Sequence, residues 1–178
     1  MSDQASRTIA LIGNPNCGKT TLFNLLTGSR QKVGNWPGVT VEKKFGFTEI
    51  AKQRCEIVDL PGIYSLEQEY KGVDEQIAFE YLQDSDIDLV INIIDATNLE
   101  RSLVLTQQLL EKRIPMLVVL NMLDVAEQQG ITVSADALAT NLGIPIVSMV
   151  ASQKRGMAEL EQAISEHGKS APPAASIE

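Results

Sequence analysis

The sequence predicts a three-layer α/β domain, with helices on both faces of a mostly parallel sheet that has one antiparallel edge strand. Short apolar runs rich in β-branched residues alternate with helical patterns along the 178 residues, as is typical of parallel sheets built from strand–helix–strand units. Polar residues follow several of the predicted strands, at the end where open α/β sheets bind their ligands. These observations place the expected functional site at one edge of the sheet.

The first half of the chain predicts a strand, a helix and then a hairpin. The apolar run 8–12 predicts a buried strand, and the segment 19–28 predicts a helix that a glycine ends. Residues 31–40 contain Gly, Asn and Pro, which favour a loop. Segments 41–50 and 54–58 then predict two adjacent strands that pair with each other.

In the second half, helices and strands alternate regularly. Three apolar runs predict strands at 88–95, 114–121 and 144–150. Four further segments predict helices at 72–83, 99–113, 134–143 and 156–167. Ser134 is the expected N-cap of its helix and Gly143 the expected end. The tail 169–178 is rich in Pro, Ala and Ser, so we expect a flexible tail or linker after a domain of residues 1–168.

Composition and charge narrow the class of function. The formal net charge of −8 argues against a long nucleic-acid groove, which needs clustered Lys and Arg. No apolar run approaches the ~18 residues of a membrane span, and the N-terminus lacks a signal-peptide pattern, so we expect this chain alone to be soluble. Its two cysteines have no CxxC spacing, which favours neither a metal site nor a disulfide and indicates a reducing cytoplasm.

Residues 13–20, GNPNCGKT, form the strongest motif in the sequence. They match the pattern GxxxxGK[ST] between a predicted strand and a predicted helix. Small residues let backbone N–H groups point at phosphate oxygens, while Lys19 neutralises the β- and γ-phosphates and the Thr20 hydroxyl ligates Mg²⁺. The nucleotide-binding residues predicted in this segment are Asn14, Asn16, Cys17, Gly18, Lys19, Thr20 and Thr21.

The segment DLPG, 59–62, adds a carboxylate and a flexible backbone group. Asp59 ends an apolar strand, where a nearby Mg²⁺ would offset its charge. Gly62 offers its backbone N–H to a γ-phosphate without side-chain interference. The next residue, Ile63, has no polar atom to orient an attacking water, so these residues alone leave open what holds that water.

The segment NMLD, 121–124, resembles the Asn-Lys-x-Asp guanine reader of GTPases, with Met122 in the lysine position. The Asp124 carboxylate can accept from guanine N1–H and from the 2-amino group, which adenine lacks. Asn121 is expected to tie this loop to the phosphate loop, and the Met122 side chain to lie over the base.

The other side of the base is predicted to come from the loop after the last strand. That loop contains Val150, Ala151 and Ser152. In this register the Ala151 N–H faces guanine O6. Counting back from the start of the last predicted helix gives this register, and residues 148–150 are the competing register.

Together these elements resemble a small GTPase of the translation-factor-related class, with the P-loop GTPase fold. The loop VGNWPGVTVE (33–42), with GNPNCGKTTLFN, DLPGIYSL, DEQIA and NLERSL, is similar to the N-terminal G domain of the bacterial ferrous-iron transport protein B (FeoB) family over residues 7–167. The resemblance implies a switch domain, dependent on Mg²⁺, that binds and hydrolyses GTP on the cytoplasmic side of the inner membrane. Its partners would be guanine nucleotide, the membrane portion of the same transporter and small cytoplasmic regulators. We expect the family's helical and membrane domains to be absent from this chain, and its oligomeric state stays open.

The resemblance also implies roles in the first switch loop. Gly38, Val39 and Thr40 match that loop, and Thr40 would reach Mg²⁺ and the γ-phosphate. Trp36 in the same loop would cover the nucleotide, meet a partner or simply pack into the domain.

The family carries a hydrophobic residue at the position of Ile63, so the resemblance implies slow hydrolysis stimulated by K⁺. Asn16 would hold K⁺ beside the phosphates, where the ion replaces an arginine finger. Backbone groups of the switch loops, 29–40 and 62–74, would hold the attacking water. The residues implied in catalysis are Asn16, Lys19, Thr40 and Gly62.

Two other functions remain open at this stage. One is a soluble GTPase in ribosome assembly or tRNA modification, although the charge of −8 and the lack of an RNA-binding extension count against it. The other is a nucleotide-gated binding switch with negligible turnover, which Ile63 keeps open.

Overall fold

A computed structural model describes residues 6–28, 30–67 and 72–169 of the chain. Several sequence predictions fall on the remaining residues. The N-terminal segment 1–5, the tail from 170 onward, and the switch-loop residues 29 and 68–71 lie outside the described residues. None of the helices in the described ranges has the length and apolarity needed to cross a membrane.

Within the described ranges, seven strands form a single sheet. They are β1 (Arg7–Gly13), β2 (Gln31–Asn35), β3 (Glu42–Ile50), β4 (Gln53–Asp59), β5 (Leu89–Asp95), β6 (Met116–Asn121) and β7 (Ile146–Ser148). Their order across the sheet is β2-β3-β4-β1-β5-β6-β7. The strands from β4 to β7 in that order pair in parallel, whereas β3 pairs antiparallel with both of its neighbours. The predicted mostly parallel sheet with an antiparallel edge is confirmed.

The helices follow the predicted order. They are α1 (Lys19–Thr27), α2 (Val73–Asp84), α3 (Leu99–Glu111), α4 (Leu123–Gln128), α5 (Ala135–Leu142) and α6 (Met157–Glu166). The predicted caps are present: α1 ends at Gly28 and α5 at Gly143, both with left-handed backbone. The Ser134 hydroxyl accepts a hydrogen bond from the Ala137 N–H at the start of α5.

The prediction of a loop over residues 31–40 is wrong for its first half. Residues 31–35 form β2, in which Gln31 lies opposite Gly46 and Asn35 opposite Glu42. The outer edge of β3 supplies the hydrogen-bond partners that make the strand stable, so pairing overrides the local Gly and Asn content. Helix α4, which follows the NM of NMLD directly, was also not predicted.

Both faces of the central strands β1, β5 and β6 are buried, as the apolar runs predict. In β1, Ile9 and Leu11 face one apolar cluster, which also contains side chains of α1 and α6. Ala10 and Ile12 face the other cluster, which also contains side chains of α2 and α3. The central strand is therefore held from both sides up to its last residue, where the phosphate loop begins.

The other end of β1 is fastened to the last helix by Arg7. This buried guanidinium donates to the backbone oxygen of Ile164, at 2.5 Å, and to that of His167. Both oxygens belong to the C-terminal end of α6, where carbonyl groups lack helical partners and the helix dipole favours a cation. Arg7 therefore joins α6 to the strand that carries the phosphate loop.

We expect Arg7→Met to lower the free energy of unfolding by about 2 kcal/mol, because it leaves buried carbonyl groups without donors. Urea denaturation followed by circular dichroism measures the change. Arg30→Met is the matched control, since Arg30 is exposed and surface changes usually stay within about 0.5 kcal/mol. Equal losses in the two variants would contradict the capping role.

Candidate functional site

The predicted phosphate loop links β1 to α1 at the carboxyl end of the central strand. A cavity of about 560 Å³ opens beside it. The predicted residues that line this cavity are Asn14, Asn16, Gly18, Lys19, Thr20, Thr21, Gly62 and Met122. The structure thus brings together parts of three motifs, the first and the last of which are about 100 positions apart in the chain.

The loop needs an unusual backbone. Asn16 and Gly18 have positive φ angles of 66° and 96°, a region that side chains other than glycine rarely adopt. A Cβ atom on Gly18 would lie 2.2 Å from the Asn121 side-chain nitrogen. Glycine is therefore required at position 18 both by conformation and by the close approach of Asn121.

Asn121, at the end of β6, joins three segments of the chain. Its Nδ2 donates to the backbone oxygen of Cys17 at 3.0 Å, and its Oδ1 accepts from the Ala151 N–H at 3.0 Å. The side chain is only 4% exposed, so both hydrogen bonds are shielded from water. The predicted tie between this loop and the phosphate loop is present.

A short turn follows β7 and brings the chain back to Asn121. Ser148 ends the strand, the Met149 N–H donates to the Leu120 oxygen, and residues 151–153 form a short 3₁₀ turn. Ala151 is thereby brought against Asn121. The contact of its N–H with guanine O6, together with the roles of Val150 and Ser152, stays a prediction.

The remaining predicted base residues lie around this turn. Met122 lines the cavity beside the phosphate loop, and Asp124 lines a cavity of about 620 Å³ together with Val150. Ala151 and Ser152 line a third, of about 510 Å³, shared with Thr21 of the phosphate loop. The predicted base residues therefore line three separate cavities, and their contacts with a base stay predictions.

Lys19 and Asp59 form an ion pair. Lys19 Nζ lies 2.5 Å from Asp59 Oδ1, and the two side chains are 11% and 10% exposed. The pair follows from topology, because β4 lies next to β1 and both strands end at this edge. The motifs GNPNCGKT and DLPG thus supply one cation and one anion in direct contact.

The structure places the Ile63 side chain away from the phosphate loop cavity. It is 1% exposed and belongs to the apolar cluster that contains side chains of α2 and α3. Its N–H donates to the Gly13 oxygen at 3.0 Å, and the adjacent Gly62 approaches Pro15 so closely that a Cβ there would lie 3.0 Å from Pro15 Cα. The segment therefore presents backbone, not a side chain, to the phosphate loop.

Residues 36–41 form a turn after β2. The Trp36 N–H donates to the Val41 oxygen, and the buried Trp36 ring packs edge-on against Tyr81, with ring centres 5.5 Å apart. Of the alternatives for Trp36, the structure shows packing into the domain. Gly38, Val39 and Thr40 line neither the phosphate loop cavity nor the one beside Asp59, so their contacts stay predictions.

Helix α3 holds the segment after Gly62, which sequence reasoning did not foresee. The Gln108 side chain accepts from the Leu66 N–H at 2.6 Å and donates to the Ser65 hydroxyl at 2.8 Å. The Arg101 guanidinium lies 3.8 Å from the centre of the Tyr64 ring. The motif NLERSL contains Arg101, so it is the sequence feature that could have indicated this contact.

The Cys17 thiol lies beneath the phosphate loop. It is buried, and burial raises its pKa from 9.0 to about 11, against smaller lowering effects that include the Lys19 charge. The thiol is therefore neutral at physiological pH. Cys55, the other cysteine, is also buried and free.

A family model described as ferrous iron transport protein B matches residues 7–164. The Fe(2+) transporter FeoB of Salmonella typhimurium is 55% identical over 162 residues, which are 90% of this chain but 21% of that protein. The chain therefore spans about a fifth of the length of the curated relatives it matches.

Solved structures agree in fold. An S. thermophilus NFeoB E67A mutant bound to GDP is 46% identical, with a TM-score of 0.85, covering 94% of this chain and 65% of that one. The FeoB G-domain from Methanococcus jannaschii is 44% identical, with a TM-score of 0.78, covering 90% and 96%. The predicted P-loop GTPase fold is confirmed.

We expect Asn121→Ala to lower the free energy of unfolding by about 2 kcal/mol, because the buried Ala151 N–H and Cys17 oxygen lose their partner. Asn24→Ala, on the exposed face of α1, is the control and should change stability little. Urea denaturation of both variants measures the difference. A loss no larger than that of the control would mean that Asn121 does not hold the loops together.

The raised pKa of Cys17 predicts slow alkylation. With a folded pKa of about 11 against 9.0 unfolded, the neutral thiol contributes stability below about pH 9 that is lost as the pH rises towards 11. We expect iodoacetamide to modify Cys17 slowly at pH 8 and rapidly after denaturation, as measured by peptide mass spectrometry. Fast modification of the folded protein at pH 8 would contradict the burial.

Proposed function

The chain belongs to the ferrous iron transport protein B family, and from that membership we propose that it is a guanine-nucleotide switch domain that hydrolyses GTP slowly. The observation that carries the proposal is the meeting of the phosphate loop, Asp59 and Asn121 at one edge of the sheet. Residues 1–168 would form the domain, within a longer transporter of ferrous iron.

Nucleotide binding is supported by the cavity and by a relative. Lys19 and the N–H groups of the phosphate loop would bind the phosphates, as the loop geometry favours. The Asp124 carboxylate would select guanine. Ala151, whose N–H donates to Asn121 Oδ1, would lie beside the base. The S. thermophilus structure with GDP makes the same ligand the first candidate here.

The residues at the site fit Mg²⁺. Thr20 supplies a hydroxyl and Asp59 a carboxylate, hard oxygen ligands of the kind Mg²⁺ prefers. In the part of the chain that the structure describes, no group of three or more His, Cys, Asp or Glu side chains could hold a metal, so phosphate oxygens would complete the shell. When bound, the ion would neutralise charge on the phosphates, and Thr40 would join its ligands after movement of the first switch loop.

Hydrolysis must proceed without a side chain at position 63. Backbone N–H groups of Gly62 and of the first switch loop would hold the attacking water, because Ile63 is buried in the core. Asn16, exposed on the phosphate loop, would supply an amide oxygen to K⁺, whose charge would compensate the charge developing on the β–γ bridge.

The switch loops, 29–40 and 62–74, would report the γ-phosphate to the membrane portion of the transporter. Helix α3 supports this proposal, because Gln108 and Arg101 hold the described part of the second loop. The domain would act on the cytoplasmic side of the inner membrane, where small cytoplasmic regulators could reach it.

A binding-only switch is the second candidate, because Ile63 cannot orient water. The family membership counts against the other alternative, a soluble GTPase in ribosome assembly or tRNA modification. Both remaining candidates require guanine-nucleotide binding, so turnover separates them.

The test is GTP turnover with Mg²⁺ in potassium chloride and in sodium chloride at equal ionic strength. We expect potassium to raise the rate about tenfold or more, as a charge placed at the β–γ bridge does, and Asn16→Ala to abolish that stimulation. Binding of GDP to the variant, measured by fluorescence titration, should be retained.

Asn24→Ala is again the matched control, because it removes the same amide from exposed helix α1. Equal rates in the two salts would remove the role of K⁺ but leave a GTPase. Negligible turnover in both salts, with tight GDP binding, would favour the binding-only switch.

A further inference from the structure

A second lysine faces Asp59 from the neighbouring strand. In the antiparallel pairing of β3 with β4, Lys44 lies directly opposite Asp59. Directly opposed residues carry their side chains on the same face of the sheet, with Cβ atoms roughly 4.5–5.5 Å apart. A cavity of about 280 Å³ is lined by both residues and by Lys19.

The adjacent Lys43 lies on the opposite face. Its Nζ lies 5.0 Å from the centre of the Trp36 ring and 5.6 Å from that of Phe45. Because side chains alternate along a strand, the pair Lys43 and Lys44 places one cation on the apolar core side and one at the candidate site. Of these two lysines, only Lys44 lies on the same face of the sheet as Asp59.

Lys44 is half-buried and, within the described ranges, takes part in no ion pair. The Asp59 carboxylate is occupied by Lys19 at 2.5 Å. The site therefore holds two lysines and one half-buried aspartate, and Lys44 is the lysine without an ion-pair partner in the described ranges. Glu42 lines the same cavity and is the other carboxylate that Lys44 could meet.

The proposed function makes conflicting demands on Lys19, and this inference rests on that function. Phosphate oxygens of a bound nucleotide compete with Asp59 for the Lys19 ammonium. When Lys19 turns to the phosphates, Asp59 is left as an unpaired, largely buried carboxylate beside further negative charge, which is costly.

We propose that Lys44 is a positioning residue that takes over the Asp59 carboxylate when Lys19 turns to phosphate. Its flexible four-carbon side chain spans the short distance between opposed strands. Guanine nucleotide could then bind in the absence of Mg²⁺, and Mg²⁺, when bound, would take the place of Lys44 beside Asp59. Lys44 thus sets how strongly nucleotide affinity depends on Mg²⁺.

The first test needs neither nucleotide nor metal. Melting temperatures are measured for nucleotide-free wild type, Lys19→Met, Lys44→Met and the double variant. We expect each single variant to change little, because the other lysine pairs with Asp59. The double variant should fall about 2–4 °C below the sum of the single effects, the shift that follows from one unpaired carboxylate in a domain of this size.

Lys43→Met, alone and with Lys19→Met, is the matched control. It removes the same charge from the next residue but on the other face, so its effect should add to that of Lys19→Met. Additive effects for Lys44→Met as well would overturn the proposal, and they are also the result expected if Lys44 pairs with Glu42 instead.

The second test uses GDP affinity, titrated by fluorescence in EDTA and in saturating Mg²⁺. We expect Lys44→Met to weaken binding about tenfold in EDTA and less than about twofold with Mg²⁺, since coupling between two ligands is of this order. Equal weakening in both conditions would indicate a general attraction for phosphate and overturn the proposal. Failure of the wild type to bind GDP at all would refute the proposed function, while the melting cycle would still decide the role of Lys44.

Discussion

The candidate site depends on one buried side-chain amide. Asn121 donates to the Cys17 oxygen and accepts from the Ala151 N–H, so the phosphate loop, the end of β6 and the last turn hold one another in place. The arrangement tolerates no side chain at Gly18, since a Cβ atom there would collide with the amide. This contact therefore links the residues proposed for phosphate to those proposed for the base.

The site brings two lysines close to one aspartate, whereas the molecule as a whole has a net negative charge. A protein with a net charge of −8 repels anions at long range, but screening limits that repulsion to roughly a Debye length. At short range, Lys19 and Lys44 line the same cavity as Asp59, and Asp59 pairs with Lys19. The aspartate thus has a structural role as well as the proposed role in binding a metal.

The sequence predicts those parts of the site that local motifs specify. The strand before Gly13, the helix opened by Lys19 and the caps at Gly28 and Ser134 all follow from short-range chemistry, and all are present. Strand β2 could not be predicted, because its stability comes from the edge of β3, a partner that local composition does not reveal. The same holds for the positions of Lys44 and Gln108, because only strand register and helix packing place Lys44 opposite Asp59 and Gln108 against Leu66.

The contacts near the start of β1 fix the distance between the last described residue and the phosphate loop. Its carboxyl end carries the phosphate loop, while Arg7 at its start grips the end of α6, and the Lys169 N–H donates to Asp88 nearby. A strand of seven residues is about 23 Å long at ~3.3 Å per residue, and β1 is buried on both faces. The last described residue is therefore anchored about one strand length away from the phosphate loop.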